Sequence, residues 1–272
     1  MRINKIREDF LVLNKTMNGK PLIYLDSACV TLKPRQVVDA MNKYYNEFPA
    51  CGGRSSHKLG RIVTEEIEKS REVIRDFINA KKANEIIFTK NTTEGINLIL
   101  NSFKFESGDV ILTSDKEHNS VLLPIQLLKS KGIKHRIFKF NDIDDFKTEL
   151  DEKVKLIVTA HISNADGTIS PIEEIIKLAH KNKSLVLIDG AQSIAHTVID
   201  VKKMDIDFLA FSGHKIFGPS GIGALYGRYN LLNELNPFIV GGGTVKDSTY
   251  DNSVIEDIPQ RFEAGLQDYA GI

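Results

Sequence analysis

Residues 211–221 read FSGHKIFGPSG, which sets Lys215 directly after Ser212, Gly213 and His214 and before a glycine-rich turn. A lysine amine held in a pocket can condense with a carbonyl compound, although most lysines are solvated surface charges. Other short stretches invite the same scrutiny. In SLVLIDGAQS, Asp189 closes an otherwise apolar run and Gln192 follows three residues later. A carboxylate there is costly unless a cation or a hydrogen-bond donor meets it. In KNTTEGIN, Thr92 and Thr93 sit where a helix would begin. Free N–H groups and the positive dipole end at such a place suit a phosphate, while as a lone motif the pair reads more simply as a helix cap. SDKEHNS supplies His118, and HISNADGT supplies Asn164 beside a turn-forming Asp-Gly.

These residues need elements to hold them. Short apolar, β-branched runs recur at 85–89, 109–113, 135–140, 154–160, 184–190, 207–212 and 222–227, each the length of a buried strand. Helical periodicity occupies 64–79, 92–103 and 171–182, the last opening with Pro171 in its first turn. Strand alternating with helix predicts an α/β fold with a mostly parallel seven-stranded sheet covered on both faces. In such sheets ligands sit beyond the carboxyl ends of the strands, which is where every residue named above falls.

Neither a G-x-G-x-x-G turn opening a helix after a strand nor a G-x-x-x-x-G-K-[ST] loop occurs, so the two common nucleotide fingerprints are disfavoured. Cys51 and His57 do not have a recurrent metal-ligand spacing. The strand ends do supply an anion-binding helix start, an imidazole, a buried acid, an amide and a lysine. Pyridoxal 5'-phosphate requires that set: a cradle for its phosphate, an amine for its aldehyde, and a carboxylate to keep its ring nitrogen protonated.

In unbroken order from about residue 20, the motifs YLDSA, GRSSHKLG, FTKNTTEGINL, EHNS, HISNADGT, DGAQSIAH, FSGHKIFGPSGIGALYG and RFEAG resemble those of class V, fold-type I pyridoxal-phosphate enzymes. Within that group the chain is similar to cysteine desulfurases of the sulfur-mobilisation branch, which includes selenocysteine lyases. The resemblance implies that Lys215 binds the cofactor aldehyde and moves protons on the substrate. Asp189 would pair with the ring nitrogen, Gln192 with the phenolic oxygen and Asn164 near it, and His118 would stack on the ring. Thr92, Thr93, Ser212 and His214 would hold the phosphate.

The resemblance also implies a homodimer, with GGGTV at 241–245 as an interface loop, a cysteine-like amino-acid substrate and a sulfur-acceptor protein. It divides the chain into an arm (1–20), a cofactor-binding domain (21–265) and the start of a helix (266–272) leading to a small C-terminal domain. The family's nucleophilic cysteine and carboxylate-binding arginine are expected in that domain, beyond residue 272, which makes this a truncated or split desulfurase. Leu266 stands where the family has a phosphate-binding threonine, and Ala28 and Cys29 stand in a motif that usually ends in two alanines. Cys29 and Cys51 are the sulfur nucleophiles this chain could offer. Selenocysteine lysis, transamination and β-elimination are alternative activities, as is a binding module inactive without a partner.

The composition fits a globular enzyme. Lys plus Arg and Asp plus Glu each number 36 in 272 residues, so no overall basic field would gather nucleic acid or an anionic membrane. Two cysteines, no apolar run of spanning length and a charged N-terminus predict a cytoplasmic protein.

Overall fold

The computed structural model describes residues 3–272. The seven apolar runs form the strands of one sheet: β1 (Ile86–Thr89), β2 (Val110–Ser114), β3 (Lys134–Phe138), β4 (Val154–Ala160), β5 (Leu185–Asp189), β6 (Phe208–Ser212) and β7 (Gly223–Gly227). Across the sheet they lie in the order β1-β7-β6-β5-β4-β2-β3. Strand β7 pairs antiparallel with both of its neighbours, and the other pairs are parallel. Six carboxyl ends therefore share one edge, and β7 begins there at Gly223 between Thr89 and Ser212.

Both faces are apolar, as near-continuous hydrophobic strands require. Along β4, Ile157 belongs to one core cluster with Ile172, Ile175 and Ile176, while Leu156 and Val158 belong to the other with Ile96, Ile99, Val121 and Ile125. This period of two buries the strands between layers of helix, except the edge strand β3, where only Phe138 is buried. The longer helices are α1 (Arg35–Glu47), α2 (Lys58–Phe77), α3 (Thr92–Ser102), α4 (Asn119–Leu128), α5 (Ile143–Glu149) and α6 (Ile172–Lys181). Pro171 serves as the cap before α6 rather than in its first turn. Helix α2 begins six residues earlier than its apolar period suggests, because His57 caps it by accepting from the Gly60 amide.

A short helix (Ile3–Arg7), a turn of 3-10 helix (Leu11–Asn14) and a hairpin pairing Thr16–Met17 with Lys20–Pro21 precede α1. A second hairpin joins β8 (Val245–Ser248) to β9 (Ser253–Ile255). In place of a helix, residues 266–272 contain one turn, where the Gly271 and Ile272 amides both donate to the Asp268 carbonyl. Among the described residues no helix is long and apolar enough to cross a membrane.

A buried ion pair joins the C-terminal segment to the sheet. Arg71 of α2 donates to both oxygens of Glu263, at 2.7 and 3.0 Å, and to the Ile86 carbonyl at 2.7 Å. Glu263 also accepts from the Phe88 amide at 2.7 Å, and the guanidinium lies 4.5 Å from the centre of the Phe88 ring. Removing Glu263 leaves the buried Arg71 with a single, half-exposed carboxylate partner, Glu68 at 3.5 Å, and strips it of its bidentate one. Glu263→Ala is expected to lower unfolding free energy by about 3–5 kcal/mol in a denaturant titration; a loss below about 1 kcal/mol, the range of exposed pairs, would contradict this.

Candidate active site

At the shared edge the strand ends enclose a cleft of about 470 Å³. All nine residues singled out from the sequence line it: Thr92, Thr93, His118, Asn164, Asp189, Gln192, Ser212, His214 and Lys215. Asp26, Ala28, Cys29, Asn91 and Ser120 complete much of its wall.

Helix α3 starts at this edge because Asn91 caps it, its side chain accepting from the Glu94 amide. Gly223 lets that start lie against β7, since a Cβ there would come within 2.5 Å of the Phe211 carbonyl and 2.8 Å of the Asn91 Cα. The Thr92 amide donates to Ser212 Oγ at 2.8 Å, and the two hydroxyls are 2.7 Å apart. Among the described residues nothing accepts from the Thr93 amide, which leaves an N–H at the positive end of the helix.

His118 caps α4. A backbone amide can only donate, so the 3.1 Å bond from Ser120 N makes His118 Nδ1 an acceptor and puts the proton of the neutral ring on Nε2. Ser120 Oγ, 2.8 Å from the same Nδ1, then donates to it and receives from Thr93 Oγ1 at 2.7 Å. This chain of hydroxyls locks the starts of α3 and α4 together.

Asp189 is 6% exposed. It ends β5 on the face it shares with Leu187, the face covered by α3 and α4. One oxygen accepts from the Ala191 amide at 2.9 Å, and no described residue donates to the other. Burial raises its pKa, opposed by that amide and by the positive charge of Lys215. Burial also lowers the pKa of His214, with Lys215 and Lys33 acting in the same direction. The Gln192 amide donates to the Ala28 carbonyl at 2.8 Å, joining the cleft to the N-terminal segment.

One buried acid was not legible from the sequence. Glu117 accepts from Ser114 Oγ at the end of β2, at 2.5 Å, and from the Ala160 amide at the end of β4, at 3.0 and 3.1 Å. Ala160 is the register partner of Asp189. The signal was present in EHNS, but an acid in a loop reads as solvated until its neighbours are known. Burial pushes its pKa up to about 8 despite those hydrogen bonds, with the Asp189 charge adding to the rise.

Cys29 is exposed and lines the Lys215 cleft. Cys51 lies elsewhere, half-buried with its Sγ 3.9 Å from the Tyr269 hydroxyl, in a second cleft of about 420 Å³. Leu266, 73% exposed, lines that second cleft with Gly242 and Gly243.

A doubly covered, mostly parallel sheet with a lysine, a buried aspartate and a capped helix start at one edge defines a fold-type I scaffold. The chain belongs to the aminotransferase class-V family, whose profile matches residues 23–272. It is 40% identical to a cysteine desulfurase of Escherichia coli O9:H4 (strain HS) over 99% of this chain and 69% of the relative. It is 38% identical to a cysteine desulfurase of Synechococcus elongatus over 98% of this chain and 44% of the relative. The chain thus spans less than half of one curated relative and about two thirds of the other. Among solved structures, the apo cysteine desulfurase of Thermococcus onnurineus NA1 superposes with a TM-score of 0.93 at 38% identity, covering 100% of this chain and 68% of that one.

Glu117 gives the cleft a measurable pH signature. The folded chain holds its proton more tightly than the unfolded chain, whose carboxyl titrates near 4.5. Its stabilising contribution is therefore full below about pH 4.5 and lost as the pH rises through about 8. His161, which burial pushes down to about 4, titrates in the opposite sense below its ordinary 6.5, so a substitution is needed to isolate Glu117. Relative to Glu117→Gln, the wild-type chain is expected to lose stability from about pH 6 to about pH 8 in urea titrations. Parallel profiles would refute the assignment.

Proposed function

We propose that the cleft holds pyridoxal 5'-phosphate and that this chain is the cofactor-binding part of a cysteine desulfurase, acting on L-cysteine to give alanine and transferable sulfur. The observation that carries the reading is the pairing of Asp189 with Lys215 in one cleft. Asp189 is a buried carboxylate with an open oxygen, as a protonated ring nitrogen requires, and among the described residues Lys215 has no carboxylate partner competing for its amine. The open Thr93 amide beside Thr92 and Ser212 fits the phosphate.

When bound, the cofactor supplies an electron sink. Asp189 holds the proton at the ring nitrogen, and Lys215 carries the proton between the substrate's α-carbon and its own Nζ. His118, its Nδ1 fixed by Ser120, presents a flat ring to the cofactor, while Gln192 and Asn164 offer amide donors to its phenolic oxygen. His214 and Ser212 complete the phosphate site. We place the cofactor-binding domain at 21–265, between an arm at 1–20 and a connection at 266–272. A second copy of the chain and a sulfur-acceptor protein are the partners of this reading, and the cytoplasm is its compartment.

One feature favours a second reading. Among the described residues that line the cleft there is no arginine to take the substrate carboxylate, and Cys29 is the sole thiol. The cofactor would then bind while turnover awaited groups supplied from elsewhere, and selenocysteine or another amino acid could be the substrate.

Incubation with pyridoxal phosphate is expected to turn the protein yellow, and borohydride to fix the cofactor to the peptide containing Lys215. In a complex competent for turnover, Lys215→Ala should abolish the attachment and slow alanine formation from cysteine about 10²–10⁴-fold. A protein that stays colourless, or that is modified on another residue, would overturn the reading.

A further inference from the structure

The segment that brings Asp26, Ala28 and Cys29 to the cleft continues into Thr31 and Lys33, and both reach the turn that carries Lys215. The His214 carbonyl, one peptide bond before Lys215, accepts three donors: Thr31 N at 2.9 Å, Thr31 Oγ1 at 2.9 Å and Lys33 Nζ at 3.1 Å. A carbonyl oxygen has two lone pairs, so three donors saturate it. Thr31 Oγ1 in turn accepts from the Phe217 amide at 2.8 Å. One threonine therefore holds the turn on both sides of Lys215.

Lys33 is not an ordinary surface cation. Its half-buried ammonium donates to the Thr31 carbonyl at 2.7 Å as well as to that of His214, and among the described residues it has no carboxylate within ion-pair distance. Burial lowers its pKa. The turn it grips is strained, since Phe217 has φ of 68°, a left-handed conformation that an aromatic residue adopts only when its surroundings enforce it. The Phe217 ring packs against Phe10, with centroids 5.7 Å apart.

We propose that Lys33 and Thr31 form a clamp on the His214 carbonyl that fixes the backbone of Lys215, which makes Lys33 a positioning residue for the chemistry of that lysine. The clamp rests on the reading of Lys215 as the cofactor's anchor. It explains why an ammonium is directed at main-chain carbonyls rather than at solvent, and what keeps Phe217 in its strained state. With the turn held, the Lys215 side chain departs from a fixed point, and fewer backbone states must be ordered when it captures an aldehyde.

The test compares Lys33→Met, which keeps the aliphatic stem, with Lys33→Arg, which restores a cationic donor. Hydrogen exchange of the apo protein is read at the Phe217 and Gly218 amides, and cofactor release is followed in the protein loaded with pyridoxal phosphate. Lys33→Met is expected to speed exchange at both amides, to release the cofactor about tenfold faster, and to weaken the visible circular-dichroism band; this is the scale of a lost hydrogen bond to a charged group. Lys33→Arg is expected to recover most of each loss. Wild-type exchange in Lys33→Met would overturn the clamp, and so would wild-type release from it. If the unsubstituted chain captures no cofactor, the reading of the site has failed instead, and the exchange arm still decides the clamp.

Discussion

The structure depends on a carboxylate that has been taken out of water. Asp189 ends the central strand β5, nearly fully buried, with one backbone amide for company. Transfer of such a group into a protein interior is unfavourable unless positive charge or hydrogen bonding compensates it. The compensation converges from two elements: the Ala191 amide just after β5 and Lys215 on the turn after β6 both stabilise its charged form. A protonated ring nitrogen would complete that compensation, and this demand gives the cleft its chemical character.

The rest of the architecture can be understood as the means of bringing those groups together. Parallel pairing aligns the carboxyl ends of β2, β4, β5 and β6, and the antiparallel β7 inserts Gly223 where the start of α3 must lie close. Hydroxyls of Thr93 and Ser120 connect the helix starts, and Glu117 ties the ends of β2 and β4 beside Asp189. The Arg71–Glu263 pair does similar work on the outer side, holding β1 to α2 and to the C-terminal segment.

Much of this was legible in the sequence because its signals are local. Each strand is a short apolar run, and each of the nine cleft residues named from the sequence ends or follows one, so Lys215, Asp189 and Thr92 announced themselves by position. What escaped depends on distant partners. Glu117 looks like a solvated loop acid until the Ala160 amide and Ser114 are seen to surround it. The first turn of α2 was hidden because Gly60 interrupts the pattern; it is glycine because a Cβ there would meet Ser55 at 2.4 Å. Helix α4 was obscured by Pro124 in its interior. Lys33 lies 181 residues from the carbonyl that it grips. The two cysteines, equivalent as candidate thiols in the sequence, open onto different clefts because the fold separates the segments that carry them.

The protonation state of the cofactor ring tests the central claim most directly. Pyridoxal phosphate labelled with ¹⁵N at the ring nitrogen, bound to the chain and followed by NMR, should show a protonated nitrogen in the wild-type protein and a deprotonated one in Asp189→Asn. The same nitrogen shift in both proteins would contradict the claim, because Asp189 would then have no part in setting the charge of the ring.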